Sequence, residues 1–149
     1  MLEIKIAQKR DAHELYKLEC ECFEHPWSEE NFKNDLLNNP LANYFIAISD
    51  EKIVAFAAIW YILDEVHIAN FCVKPDYRKK GIGKKLLNHI ILDAKQRNFM
   101  GITLEVNEKN EAAINLYLAE GFVAYGFRPG YYSETKDAAI IMWKFFEGE

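Results

Sequence analysis

The sequence predicts a mixed α/β fold in which helices cover both faces of a central sheet. Three observations point there. Hydrophobic periodicity yields the element order βααβββαβαββ, and strands alternating with helices in this way build one mixed sheet. The run from Glu65 to Val73 is apolar on both faces except at Glu65, His67 and Asn70, the pattern of a strand buried on two sides. That same strand leads through Pro75 and a polar turn into Arg78-x-x-Gly81-x-Gly83, where a helix begins.

The elements follow in order. Leu2, Ile4 and Ile6 alternate with Glu3 and Lys5, so the chain opens with a strand that buries one face. Asp11, with Glu14 three residues on, forms a capping-box variant for a helix carrying Leu15, Leu18 and Cys22. Pro26 breaks that helix. Ser28 caps a second one, with Glu29 and Glu30 in its favourable first turn and Phe32 and Leu36 one turn apart. Residues 44–49 and 53–63 are β-rich and flank Asp50-Glu51-Lys52, which reads as a hairpin. After the strand 65–73, a helix from about 81 to 98 carries the stripe Ile82, Leu86, Ile90, Ala94, widened by Leu87 and Ile91. Ile102, Leu104 and Val106 then alternate with Thr103, Glu105 and Asn107, a strand with its polar set on one face. Asn110 is placed to cap a helix through Ala113, Leu116 and Tyr117, and Gly121 to close it. Residues 122–127 and 138–146 form two closing strands, joined through Arg128-Pro129-Gly130-Tyr131-Tyr132.

With 149 residues, no linker and no repeat, residues 1–149 are expected to form one domain. Half the residues are hydrophobic and 28% are charged, a balance typical of soluble globular chains. The net charge of -5 gives nucleic acid no basic footprint. The charged, alternating N-terminus is not a signal peptide, and no apolar run approaches the roughly 20 residues that span a bilayer. The expected location is the cytoplasm, with no membrane partner. Cys20, Cys22 and Cys72 do not make a disulfide framework, and Cys72 in an apolar strand reads as a small buried residue. Cys20-x-Cys22-x-x-His25 matches no standard zinc spacing and has no second pair downstream, so no metal is expected.

The strand-to-helix junction carries the chemistry. Between Lys74 and Lys85 six Lys/Arg face one Asp, a local charge of +5 in a chain of -5. Glycines there let backbone N–H groups approach a ligand, and the helix start adds its positive dipole end. A phosphate or pyrophosphate cradle and a merely solvated basic surface both fit these residues. The spacing is neither that of a Walker A loop nor that of a dinucleotide fingerprint.

Arg78-x-x-Gly81-x-Gly83 after a strand ending at Val73 resembles the acetyl-coenzyme A motif of the GNAT superfamily of N-acetyltransferases. Asn110-x-x-Ala113-x-x-Leu116-Tyr117-x-x-x-Gly121-Phe122 resembles the family's next block, and the element order matches over essentially the whole chain. Within that superfamily, His25-Pro26-Trp27-Ser28, Leu104-Glu105-Val106 and Arg128-x-x-Tyr131-Tyr132 resemble the ribosomal-protein-alanine N-acetyltransferase (RimI) group. One departure is Asn107, where the group usually has Arg.

The resemblance implies a single-domain GNAT fold: a mixed, mostly antiparallel sheet, helices on both faces and a V-shaped cofactor cleft. It implies acetyl-CoA as cosubstrate and CoA as product, with direct attack of an amine on the thioester. By the same resemblance Phe71, Cys72 and Val73 hold the pantetheine arm, and the Val73 N–H faces the thioester oxygen. Arg78, Lys79, Lys80, Gly81, Ile82 and Gly83 cradle the pyrophosphate, and Asn110 and Tyr117 complete the cofactor site. Glu105 is implied as general base through water and Tyr117 as general acid. From the residues alone Glu105 reads as a solvated strand carboxylate, Glu65 and His67 are rival bases on one face of their strand, with His67 also readable as a satisfied core histidine, and Tyr117 reads as a packing residue. Trp27, Tyr131 and Tyr132 are candidate walls of the acceptor groove, or simply core and surface aromatics.

The implied acceptor is a protein N-terminus, the alanine of a small-subunit ribosomal protein. An α-amine with a pKa near 7.7–8.0 is about one-tenth neutral at pH 7, whereas lysine is below about 0.1% neutral. A single water-linked Glu suits the first and needs help with the second. The alternatives are a GNAT enzyme for a small amine, polyamine or lysine side chain, and a non-catalytic CoA-binding regulatory module.

Overall fold

The computed structural model describes residues 1–146. Seven strands form one sheet: β1 (Glu3–Ile6), β2 (Ala42–Ser49), β3 (Lys52–Ile62), β4 (Glu65–Val73), β5 (Gly101–Asn107), β6 (Val123–Arg128) and β7 (Ala139–Phe145). Their spatial order is β1-β2-β3-β4-β5-β7-β6, and every neighbouring pair is antiparallel except β4 with β5. The helices are α1 (Ala12–Cys22), α2 (Glu29–Asn38), α3 (Ile82–Gln96) and α4 (Glu111–Ala119). This is the order and the mixed, mostly antiparallel sheet that the sequence predicts.

Side-chain periodicity explains the layering. Ile82, Leu86, Leu87, Ile90, Ile91 and Ala94 of α3 pack with Val66, Ile68, Ile102, Leu104 and Val106 into the larger core, which α4 joins through Tyr117. On the other face Leu15 and Leu18 of α1 and Phe32 of α2 pack on Tyr44, Ile46, Phe56, Ala58 and Cys72. Phe32 sits at the centre of an aromatic group, with ring centroids 5.7–5.9 Å from Trp27, Tyr44 and Phe56. Burial of such rings contributes roughly 1.5–3 kcal/mol each.

Three local expectations change. Asp11 does not cap α1; its side chain accepts the Gln8 N–H at 2.6 Å and closes a preceding 3-10 turn. Ile6 is exposed, so within β1 only Ile4 is partly buried, with Leu2 just before the strand packing beside it on the core. Among the described residues the strand members of the second core come from β2, β3 and β4, so α1 and α2 pack on that half of the sheet. Glu65 and His67 are half-buried rather than enclosed. Ser28 and Asn110 do cap α2 and α4, accepting the N–H groups of Asn31 and Ala113.

Candidate active site

β4 and β5 pair only from Glu65 opposite Gly101 to Ile68 opposite Leu104, although β4 runs on to Val73 and β5 to Asn107. Just beyond the last pair, the register of β4 against β3 slips and leaves Ala69 without a partner. A bulge of this kind bends its strand and sharpens its twist. The two strands part from there, and a cleft of about 550 Å³ opens between them.

Glu105 is the first β5 residue past the split. Its Oε2 lies 3.0 Å from His67 Nε2, and because a carboxylate only accepts, His67 is the donor. That hydrogen bond holds the Glu105 carboxyl below its ordinary value against the opposing effect of partial burial, helped by the Arg128 charge and the Tyr131 hydroxyl. The Trp60 ring stands edge-on to His67 at 5.8 Å and backs the imidazole. Glu65 lies at the closed end of the strand pair, opposite Gly101, away from this group.

Tyr117 reaches the cleft from the opposite face. It is 4% exposed, with its ring against Phe71 (6.1 Å) and Phe122 (5.6 Å), and burial pushes its hydroxyl pKa well up. Its packing role and an open path to the cleft thus coexist. Trp27, Asn110 and Tyr132 also line the cleft. Tyr131 does not; it is 44% exposed at the rim, edge-on to Tyr132 and facing Glu105.

The strand end divides its three expected residues. N–H groups alternate sides along a strand, and the Lys74 N–H bonds Val54 on the β3 side, so those of Val73 and Phe71 face the split. The Phe71 N–H is already taken by Asn70 Oδ1 at 2.9 Å. Cys72 directs its backbone to Phe56 of β3 and buries its thiol in the α1-side core, which leaves it no group facing the cleft. Of the three expected residues, backbone alternation thus turns only Phe71 and Val73 toward the split.

Past Val73, Arg78 folds back, its Nε donating to the Val73 carbonyl at 2.9 Å. Lys79 (φ 64°) and Gly81 (φ 80°) are both left-handed and bring the chain into α3 with no side chain on its first N–H groups. A Cβ on Gly81 would meet nothing within 4 Å, so the glycine serves the backbone conformation and leaves the space open. A Cβ on Gly83 would lie 3.6 Å from Val73 and 3.7 Å from Phe71, which sets the helix start directly against the strand end. Lys79 and Lys80 are exposed beside it, and Ile82 turns into the core. Uncapped helix N–H groups, a left-handed turn and local cationic charge together suit an anionic pyrophosphate.

The chain matches the model of the Acetyltransferase (GNAT) family over residues 12–122. It belongs to that family. It is 35% identical over 144 residues to the ribosomal protein bS18-alanine N-acetyltransferase of Escherichia coli, across 95% of this chain and 96% of that one. The crystal structure of the ribosomal-protein-S18-alanine N-acetyltransferase from Escherichia coli superposes with a TM-score of 0.92 at 32% identity, covering 100% of this chain and 96% of the other. Arabidopsis thaliana NAA60, solved in complex with acetyl-CoA, shares the fold with a TM-score of 0.90 at 20% identity, covering 99% and 100%.

Two features of this GNAT cleft escaped the sequence reading: the buried Glu19 and the partners of Asn107. Glu19 of α1 is 2% exposed and lines the cleft. Its signal was visible: it follows Leu15 by four residues, on the stripe that packs on the sheet. Asn107 donates to Asp137 Oδ2 at 3.1 Å, and Lys109 Nζ reaches Asp137 Oδ1 at 2.9 Å. The unusual Asn107 thereby ties the end of β5 to the loop before β7. Among the described residues no group of three or more His, Cys, Asp or Glu could hold a metal, and no helix is long and apolar enough to cross a membrane.

Proposed function

We propose that this chain is a cytoplasmic, acetyl-CoA-dependent N-α-acetyltransferase that modifies the N-terminal alanine of a small-subunit ribosomal protein. One observation carries the reading. The split between β4 and β5 joins an ionised carboxylate on one face of the sheet to a protonated phenol on the other. The names of the Escherichia coli relatives support the acceptor.

Bound acetyl-CoA supplies the acetyl thioester. The helix start from Arg78 to Gly83 holds the pyrophosphate, with Lys79 and Lys80 adding charge. The Phe71 carbonyl and the Val73 backbone hold the pantetheine arm, and Asn110 lies beside it. The Val73 N–H donates to the thioester oxygen as negative charge builds there. Trp27 and Tyr132 form acceptor walls in the cleft that Glu105 also lines, and Tyr131 stands at its rim beside Glu105.

Glu105 takes one proton from the amine through a water as the N–C bond forms. Tyr117 gives its proton to the sulfur as the C–S bond breaks, and its raised pKa keeps that proton in place until then. CoA and the acetylated N-terminus leave, and both residues re-equilibrate with solvent.

The test is CoA release with a peptide beginning with Ala, beside the same peptide N-terminally blocked but carrying lysine. Turnover is expected only with the free N-terminus. Glu105→Gln and Tyr117→Phe should each lower kcat by about 10²–10⁴, the range for a lost acid or base. Turnover on the blocked peptide or a free small amine alone would overturn the acceptor assignment. Full activity in either variant would overturn that residue's role.

A further inference from the structure

Glu19 is a buried carboxylate that forms no ion pair among the described residues. Its Oε2 accepts the Trp27 N–H at 2.9 Å and its Oε1 accepts Asn70 Nδ2 at 2.7 Å. Burial pushes its carboxyl up, and these two neutral donors oppose that effect. Such a group is costly to bury, and apolar packing alone would serve stability as well. Its value lies in being able only to accept.

An acceptor-only partner fixes the orientation of an amide. With Nδ2 turned to Glu19, the Asn70 side chain must present Oδ1 on its other side, where it takes the Phe71 N–H at 2.9 Å. One carboxylate thus sets both the loop that carries Trp27 and the state of a cleft-facing N–H on β4. Asn70 directly follows the bulged Ala69, where the strand leaves β5. Glu19, Asn70, Trp27 and Glu105 all line the same cleft.

We propose that Glu19 is a positioning residue for the acceptor: acting through Asn70 and the Trp27 backbone, it fixes the cleft wall on which the amine is presented to Glu105. This rests on reading the cleft as the site of a peptide N-terminus. The pyrophosphate cradle lies beyond Val73 and shares none of these bonds, and the Phe71 carbonyl that the pantetheine arm would use accepts none of them, so the larger effect falls on the acceptor rather than on acetyl-CoA.

The bonding pattern supplies its own test. Glu19→Gln sets an NH2 group against one of two donors, and any flip of Asn70 that relieves it faces the Phe71 N–H with a second donor. Asn70→Asp alone sets two carboxylates against each other. Glu19→Gln combined with Asn70→Asp exchanges the two chemistries. The new amide would accept the Trp27 N–H through its oxygen and donate through its NH2 to the new carboxylate, whose other oxygen would take the Phe71 N–H. Every group is satisfied again, with the charge moved from the helix to the strand.

Steady-state kinetics on an Ala-initiated peptide, with calorimetric titration of acetyl-CoA, read the result. Glu19→Gln should raise the peptide KM roughly tenfold to hundredfold, the range for a buried donor stripped of its acceptor. Acetyl-CoA affinity should stay within about twofold, and the double variant should recover most of the loss by restoring every hydrogen bond. Should Glu19→Gln fail to fold, the double variant decides: recovered fold and peptide KM support the proposal, and loss of either overturns it. A folded Glu19→Gln enzyme with an unchanged peptide KM, or one that loses acetyl-CoA equally, overturns it as well. If the wild-type enzyme is idle on every peptide, the acceptor reading fails and takes this inference with it.

Discussion

Glu105 is held by His67, and the pH dependence of the reaction follows from that contact. The Nε2–H donated at 3.0 Å lowers the Glu105 pKa, so the carboxylate stays ionised from neutral pH to below its unperturbed value of about 4.3. The α-amine becomes reactive only as it loses its proton, approaching a pKa near 8. Through neutral pH, log kcat/KM for a peptide should therefore rise with a slope of one, from the amine alone. Below the Glu105 pKa the base is lost too, and the slope becomes two. His67→Ala removes the donor, raises the Glu105 pKa and moves the break to higher pH. A break that does not move would show that something other than His67 keeps Glu105 ionised. The residue identities behind this were legible in the sequence, but their pairing was not. Glu105 and His67 are 38 positions apart, and only the parallel register of β4 and β5 brings them together.

Individual elements were legible wherever their own periodicity dominated. The stripe of α3, the caps Ser28 and Asn110, and β4 from Glu65 to Val73 all form where side-chain spacing and local hydrogen bonds demand. The bulge at Ala69 was not legible, because no glycine or proline marks it and its cause lies in pairing with β3. Asp11 failed as a cap because a tighter local bond to the Gln8 N–H was available. Gly101 is a further case. A Cβ there would lie 2.6 Å from the Lys144 carbonyl oxygen and 3.2 Å from the Phe145 Cα, both backbone atoms of the neighbouring strand. Gly101→Ala should thus push β5 from β7 and cost about 1–3 kcal/mol, the usual penalty of overpacking. For a chain of this size each kcal/mol lowers Tm by roughly 2–4 °C. Thermal unfolding at unchanged pH measures it, and an unshifted Tm would mean the strand pair gives way without cost.

Across the whole molecule, charge is divided against itself. The chain carries -5, yet Lys74 to Lys85 holds six cationic side chains against one acidic one, gathered where β4 gives way to α3. Sequence alone left two meanings open for that segment: a phosphate cradle or a solvated surface. The proposed function takes the first, and it is supported by the turn that leaves the α3 N–H groups without a side-chain cap and sets Gly83 against Val73 at the mouth of the split. On that proposal an anionic cosubstrate is repelled by the net charge of the molecule and drawn to this edge. That attraction is long-ranged at low salt, where the screening length is about 30 Å at 0.01 M, and short at 0.15 M, where it is about 8 Å. The dissociation constant for acetyl-CoA should therefore rise several-fold across that range. Peptide KM, measured at saturating acetyl-CoA, should follow a different salt dependence. Lys80→Gln with Lys84→Gln removes two of the cations without touching the core, since both are exposed. The double variant should bind acetyl-CoA more weakly at low salt and show a flatter salt response. If wild type and variant respond alike, the basic edge is solvated surface and the backbone of the helix start holds the pyrophosphate alone.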